Sequence, residues 1–397
     1  MPSPVRPVRS RSGARLGGWP GAALLVLLSA CGSTPPPGWL LVTAVTMHEA
    51  VVTGSGRAPR AVSCTGPDGA SARAAITEPT GRVWRARVGG LTPATRYRCK
   101  VTRKQSSSRL VRFRTAPGAD DTVTFAVVGD TGDDSPEATV LAWQLARNPP
   151  DFVLHVGDLA YPHATAAALQ QRFFRIYRAL LTRTVFYATP GNHDLSTASA
   201  FRPIFAQETL PRSPHDAQYA FDWGPLHLVA ISSREVGPDA DAERQWIAAD
   251  LAQARERPWR IAFLHDPVYS PGSKYTVRGL RRTLVPILEA GRVDLLITGH
   301  EHLYARADAS CVHDPAARML QIVTGGGSAD LDHADPGPAF PVVVSRTQYL
   351  RVRATPRTLD VKAIDLAGRI VDRFRLHRDR SGPCRRDGWP PSRVPRQ

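Results

Sequence analysis

The stretch that decides the fold is Val123-Thr124-Phe125-Ala126-Val127-Val128-Gly129-Asp130-Thr131-Gly132, an apolar run that stops abruptly on a glycine and a carboxylate. Six apolar or β-branched residues in a row read as a strand buried on both faces, the kind found in a parallel sheet. Four more runs of the same build follow. Phe152-Val153-Leu154-His155-Val156 leads into Gly157-Asp158-Leu159-Ala160-Tyr161, and Val185-Phe186-Tyr187-Ala188-Thr189 precedes Gly191-Asn192-His193-Asp194. Arg260-Ile261-Ala262-Phe263-Leu264 ends on His265-Asp266-Pro267, and Asp294-Leu295-Leu296-Ile297-Thr298 ends on Gly299-His300-Glu301-His302. Helical patterns fall between them. From Ala166 to Leu181, Leu169, Phe173, Ile176 and Leu180 recur about one turn apart; from Asp239 to Arg255, Trp246, Ile247 and Leu251 share a face behind first-turn acids. Strands alternating with helices imply an α/β sheet.

In such sheets ligands bind in the crevice beyond the carboxyl ends of the strands. All five runs place Asp, Asn, His or Tyr there, the oxygen and nitrogen donors of hard and borderline metal ions. Carboxylates can bridge two cations, and a glycine before the ligand allows a sharp turn. Two cations about 3.5–4 Å apart lower the pKa of a shared water and clamp both sides of a displacement at phosphorus. The chain therefore reads as carrying one two-metal site.

The set D-x-G, GDxxY, GNH[DE], a single His after a strand, and GHxH resembles the calcineurin-like metallophosphoesterases, and Tyr161 narrows the resemblance to their purple acid phosphatase branch. It covers about 39 to 375. It implies a four-layer β-sandwich flanked by helices and a phosphomonoesterase acting through a metal-held hydroxide. Asp130, Asp158, Tyr161 and His302 would hold a first ion, Fe(III), with Asp158 bridging. Asn192, His265 and His300 would complete a second site for Fe(II), Zn(II) or Mn(II). His193 would bind phosphate or protonate the leaving oxygen, and the partner would be a small phosphate ester. Two other readings stay open: a phosphodiesterase or nucleotidase on the same core, and an inactive exported binding protein. Asp194 reads as orienting a loop or His193, His155 as a satisfied core histidine, and His163 and His215 as rim residues. Gly325-Gly326-Gly327 reads as a tight turn near the site.

Residues 39–117 differ in texture. Short alternating runs such as Val83-Trp84-Arg85-Ala86-Arg87-Val88 and Tyr97-Arg98-Cys99-Lys100-Val101 are separated by Gly and Pro turns, as in a β-sandwich. Gly90-Leu91-Thr92-Pro93-Ala94-Thr95-Arg96-Tyr97 resembles the fibronectin type III signature, with Tyr97 at the tyrosine corner. The expected organisation is a small all-β domain at 39–117 ahead of a catalytic domain at 121–375, with a basic Pro-rich tail at 376–397.

The N-terminus reads as an export signal. Arg6, Arg9, Arg11 and Arg15 precede an apolar run ending Leu28-Ser29-Ala30-Cys31, about half the length of a transmembrane helix. These last four residues resemble a lipobox: a signal over 1–30, acylation of Cys31, and a Pro-rich linker over 31–38. The expected location is the cell envelope, lipid-anchored at the outer membrane or periplasmic face, or secreted. The alternative is an ordinary signal peptide. An oxidising compartment suits the four other cysteines, for which Cys64–Cys99 and Cys311–Cys384 are the favoured pairs. The formal net charge of +16 is Arg-dominated, with eight Arg in the last 25 residues. No aromatic-interleaved basic run accompanies it, so no nucleic acid is expected. Oligomeric state is not legible.

Overall fold

The computed structural model describes residues 38–378, apart from 79–81, 104–107, 197–198, 206, 208, 215–217, 273–277 and 308–318. The signal, lipobox, linker and tail readings, with His215, Cys311 and Cys384, lie outside the described residues.

Among the described residues two large sheets face each other. The first has ten strands, in the order Ile370–His377, Thr358–Asp365, Gln348–Ala354, Val123–Val128, Phe152–His155, Val185–Ala188, Leu40–Thr43, Ala50–Ser55, Val83–Val88 and Ala75–Thr77. The second has seven: Tyr219–Trp223, Leu226–Ala230, Trp259–Phe263, Leu295–Thr298, Leu320–Thr324, Tyr304–Arg306 and Val342–Val344. Alternation along each strand builds the layers. Phe125 and Val127 point into the core between the sheets with Leu228, Ile261 and Phe263. Ala126 and Val128 point the other way, against Leu141, Leu145, Phe173 and Leu180. Val229, Ala262 and Leu264 pack against Ile247, Leu251, Leu284 and Leu288 on the far side. The result is helix, sheet, sheet, helix, a sheet-dominated α/β fold with the layering that the resemblance implies.

The strands leading into the five runs all formed, and within each sheet they run parallel. Parallel pairing aims every C-terminal end the same way. The expected helix over 166–181 is broken: Ala166–Leu169 and Arg178–Leu181 are α-helical, and Gln170–Phe174 between them is π-helical. Phe173, Phe174 and Tyr177 all point inward there.

The sheet topology runs across the boundary expected near residue 120. From Gly38 onward the chain forms one compact unit. Leu40–Thr43 pairs in parallel with Val185–Ala188, Val42 beside Val185, so half of the N-terminal sandwich is an extension of the first large sheet. Its other half is a separate four-stranded sheet, Ser71–Arg73, Ala61–Thr65, Arg96–Thr102 and Arg109–Arg114. Cys64 and Cys99 face each other across that sheet and are disulfide-bonded, as expected. The Tyr97 hydroxyl accepts from the Thr92 backbone amide at 2.9 Å, which pins the strand to the turn ahead of it.

Candidate metal centre

Asp130, Asp158 and Asn192 stand just beyond neighbouring strands of the first sheet, and His265, His300 and His302 beyond strands of the second. The two sets meet at the seam. Donor atoms of Asp130, Asp158 and His265 all lie within 4.8 Å of one another, and all three residues are buried. The left-handed backbone falls on the ligands themselves: Asp130, Asp158 and His300 have φ of 57°, 58° and 67°. Such conformations persist only where surroundings over-determine them. Here the Asp130 amide donates to the Gly157 carbonyl at 3.0 Å, and the Asp130 carboxylate accepts from the His300 amide at 3.0 Å.

Of the glycines in front, Gly157 makes the sharp left-handed turn expected, at φ 97°, and the others avoid a Cβ clash. Gly191 and Gly299 are not left-handed; a Cβ on Gly191 would sit 2.1 Å from the Asp158 Oδ1, and one on Gly299 2.6 Å from the Asp130 Oδ2. They are glycines because the ligand of the next loop occupies the space a side chain would need. Gly325 and Gly327 act likewise, closing on Glu301 and on the Gly129 carbonyl, which puts the triple-glycine turn beside the site.

The imidazoles are oriented from behind. Nδ1 of His265 faces the Val156 carbonyl at 2.8 Å, that of His302 the Asp330 carbonyl at 2.7 Å, and that of His193 the Pro162 carbonyl at 2.7 Å. A ring that donates Nδ1–H to a carbonyl presents Nε2 as a lone pair, the usual second shell of a metal-ligating histidine. For His265 that Nε2 faces the Asn192 Oδ1 at 3.0 Å, the His300 Nδ1 at 3.1 Å and the Asp158 Oδ2 at 3.5 Å. Lone pairs converge there from four residues, and a cation is what such a donor set fits.

The titration behaviour tells the same story. Burial, then the neighbouring Asp130 charge, raises the Asp158 carboxyl. Burial also opposes ionisation of Asp130, yet His265 and His302 outweigh it and hold that carboxyl low. Burial disfavours charged His265, but Asp158 and Asp130 push it up to about 9; burial and the His265 charge push His300 down to about 4. Burial likewise opposes charged His302, and its hydrogen bond to Asp130 lifts it to about 9. One imidazolium of the facing pair thus balances the buried carboxylates.

Tyr161 is brought to the same place. Its hydroxyl lies 3.3 Å from both the Asp130 Oδ1 and the His302 Nε2. Burial, with Asp130 and Asp158 nearby, holds the phenol far above its ordinary value, so only a strong cation could make it a phenolate. His193 packs edge-on against Tyr161 at 4.7 Å, with its Nε2 4.0 Å from the Asp158 Oδ2 and its side chain 35% exposed. It is the half-open member of the cluster.

Asp194 is fully buried and accepts from the amides of Asp158 at 2.7 Å, Gly191 at 2.9 Å and Leu159 at 3.1 Å. It holds two ligand loops together. His155 is buried, with Nε2 on the Thr131 hydroxyl at 2.9 Å and Nδ1 without a partner among the described residues. His163 is exposed. Reading the sequence gives no role to Asp266, whose carboxylate takes two bonds from Arg234 at 2.9 and 2.7 Å and lies 3.9 Å from the His300 Nε2. Its adjacency to His265 was the available signal. Asp330 and Asp332, which fix His302 through a carbonyl and a carboxylate, carry no sequence signal.

Residues 123–304 match the family model described as calcineurin-like phosphoesterase. Purple acid phosphatase 22 of Arabidopsis thaliana is 28% identical over 242 residues, covering 57% of this chain and 54% of the relative. Acid phosphatase type 7 of Homo sapiens is 28% identical over 241 residues, covering 54% and 55%. The matched segments thus span a little over half the length of these relatives. Among solved structures, a purple acid phosphatase from yellow lupin seeds superposes with a TM-score of 0.71 at 16% identity, covering 86% of this chain and 74% of that one. The structure of PhoD gives 0.64 at 13% identity, covering 88% and 91%. At those identities the structural likeness speaks for the fold alone.

Proposed function

We infer that this chain, which belongs with the purple acid phosphatase-like calcineurin-like phosphoesterases, is a metal-dependent hydrolase of phosphate esters. The observation that carries the reading is the convergence of Asp130, Asp158 and His265 donors within 4.8 Å in a buried crevice at the strand ends. Asp130, Asp158, Tyr161 and His302 would hold one ion, and Asp158, Asn192, His265 and His300 the other. When bound, the pair would supply Lewis acidity at the phosphoryl oxygens and activate water.

The protein's own groups do the rest. The Pro162 carbonyl fixes the His193 ring through Nδ1, leaving Nε2 4.0 Å from the Asp158 Oδ2. A proton on that Nε2 can pass to the leaving oxygen of the ester. Asp158 receives the His193 amide at 3.0 Å, so the proton donor and the carboxylate keep a fixed spacing.

The finer readings follow as our proposals. Phosphomonoesters are the preferred substrates; the first ion is Fe(III), bound by Tyr161, and the second is Fe(II), Zn(II) or Mn(II). The N-terminal sandwich is of fibronectin type III type, supported by the Tyr97–Thr92 contact. The chain is exported and anchored through Cys31, which rests on the lipobox-like sequence alone. The test is metal content, visible spectrum and hydrolysis of p-nitrophenyl phosphate beside a diester. Two ions per chain, a visible band lost in Tyr161→Phe, and a monoester preference are expected. A metal-loaded protein inert towards both esters from acid to neutral pH would overturn the proposal.

A further inference from the structure

The four-stranded sheet buries one face and leaves the other to solvent. Val62, Cys64, Tyr97, Cys99, Val111 and Phe113 point into the core. The opposite face carries Arg73, Arg96, Arg98, Lys100, Arg112 and Arg114, interleaved with Ser63, Thr65 and Ser71 and no acid. The register sets like charges against each other: Arg98 opposite Arg112, and Arg96 opposite Arg114. Such pairs oppose sheet formation. Arg114 is relieved by Asp151 at 3.2 Å. Among the described residues no carboxylate pairs with the other five, and Asp68, in the turn before Ser71–Arg73, caps its own turn. The outer face of the last three strands of the first large sheet shows the contrast. There Asp360 lies opposite both Arg353 and Arg375, so its cations are interrupted.

We propose that this basic sheet face docks the chain onto an anionic phospholipid bilayer. Three further observations favour a bilayer. The face is flat and exposed, with Leu110, 43% exposed, beside the cations. At its edge strand the positive surface continues into a cleft of about 420 Å³ lined by Arg109, Arg175 and Arg178, large enough for a headgroup phosphate. Arg175 is paired there with Asp134, whereas no acid among the described residues pairs with Arg178. Finally, Arg109 donates to the Gly38 carbonyl, so the N-terminal segment enters the fold at the end of this sheet. Cys31 lies seven residues earlier, and seven residues reach at most about 25 Å. A lipid on Cys31 would keep the basic face within reach of the headgroups. That last argument leans on the anchor reading; the charge argument does not. Nucleic acid fits less well, because the one aromatic on the central strand, Tyr97, faces the core and offers no base a stacking platform.

The experiment uses the full chain with Cys31→Ser, so that no acyl chain contributes, and measures retention on phosphatidylcholine vesicles with and without phosphatidylglycerol. Binding only to the phosphatidylglycerol vesicles, weakening with salt, is expected. The triple reversal Arg98→Glu, Lys100→Glu and Arg112→Glu should lower retention at least about 20-fold, with phosphatase activity unchanged. A charge-matched control, Arg353→Glu, Arg357→Glu and Lys362→Glu, should lower it less than about two-fold. Arg73→Glu with Arg96→Glu gives a second reading of the face should the triple variant not fold. Equal losses in both sets would mean that net charge, and no particular surface, does the binding, and would overturn the proposal. So would retention unaffected by the face variants, or tighter capture by a single-stranded oligonucleotide than by the anionic vesicles.

Discussion

The metal centre and the outer face of the N-terminal four-stranded sheet both gather charges of one sign, and they are held in opposite ways. At the centre, carboxylates of Asp130 and Asp158 are buried within a few ångströms of His265. Removal from water magnifies their repulsion, and protonated histidines and backbone amides offset it. On the sheet, Arg98 and Arg112 face each other in the open, where water and salt screen them at little cost. Burial makes the first cluster a demand for a specific cation; exposure makes the second tolerant of any anionic surface. Substitutions should separate the two by whether activity, stability or neither responds.

The largest effect is expected at Asp158. Asp158→Asn removes a ligand shared by both proposed sites, so metal content should fall below two ions per chain and kcat by about 10³-fold or more. The metal-free protein should at the same time become more stable, because the substitution relieves the burial and the Asp130 repulsion that raise the Asp158 carboxyl. Thermal unfolding in chelator checks this. A metal-free variant less stable than wild type would mean that Asp158 is structural first.

His193 should come next. His193→Gln keeps the shape and loses the proton donor; kcat is expected to fall about 10²- to 10⁴-fold with metal content unchanged. The loss should be smallest on esters with good leaving groups, which need protonation least. A uniform loss across leaving groups would reassign His193 to phosphate binding.

Asp194 tests the scaffold of the centre. Asp194→Asn weakens the grip on the amides of Asp158, Leu159 and Gly191, and metal affinity should drop about 10- to 100-fold. Titration with Zn(II) or Mn(II) reads this directly.

How much of this was legible follows from range. The strands before the ligands and the donors at their ends are local patterns, and periodicity carries them; the Cys64–Cys99 pair follows from placing both cysteines in one domain. The sharing of a sheet between Val42 and Val185 is a pairing 143 residues apart in chain order, and nothing in either strand announces its partner. Ala50–Ser55, a strand inside that shared sheet, went unread, as did the three strands after residue 347 that widen the first sheet. That the glycines are needed is legible; which atoms they make room for is not, since those atoms belong to other loops. Asp330 holds His302 with its backbone carbonyl, which any residue type provides.

A charge cluster that is buried and already matched should depend on pH rather than metal. His227 lies between the Asp222 Oδ1 and the Asp250 Oδ2, each at 2.8 Å, with Arg257 on the other Asp222 oxygen. Burial disfavours the imidazolium, but the two carboxylates win and raise it to about 9. The folded value lies above the ordinary 6.5, so the stabilisation is full below about pH 6.5 and fades as pH rises through 9. His227→Gln should cost about 1–3 kcal/mol at pH 6 and much less near pH 9.5, measured by denaturant unfolding at both. A cost independent of pH would mean that His227 acts through packing.

The smallest effect, and the sharpest contrast with Asp158, belongs to the arginines. Replacing Arg98 and Arg112 together by Thr removes a directly opposed like-charge pair and installs a favourable cross-strand pair, worth about 0.5 kcal/mol of added stability at low salt. About 0.5 M salt should shrink the gain, since exposed charges are screened within a few ångströms there. Metal content and kcat should not move. A gain that ignores salt would come from strand propensity rather than repulsion. A gain that salt abolishes means the wild-type face is kept basic against its own stability, as expected of a surface retained for an anionic partner.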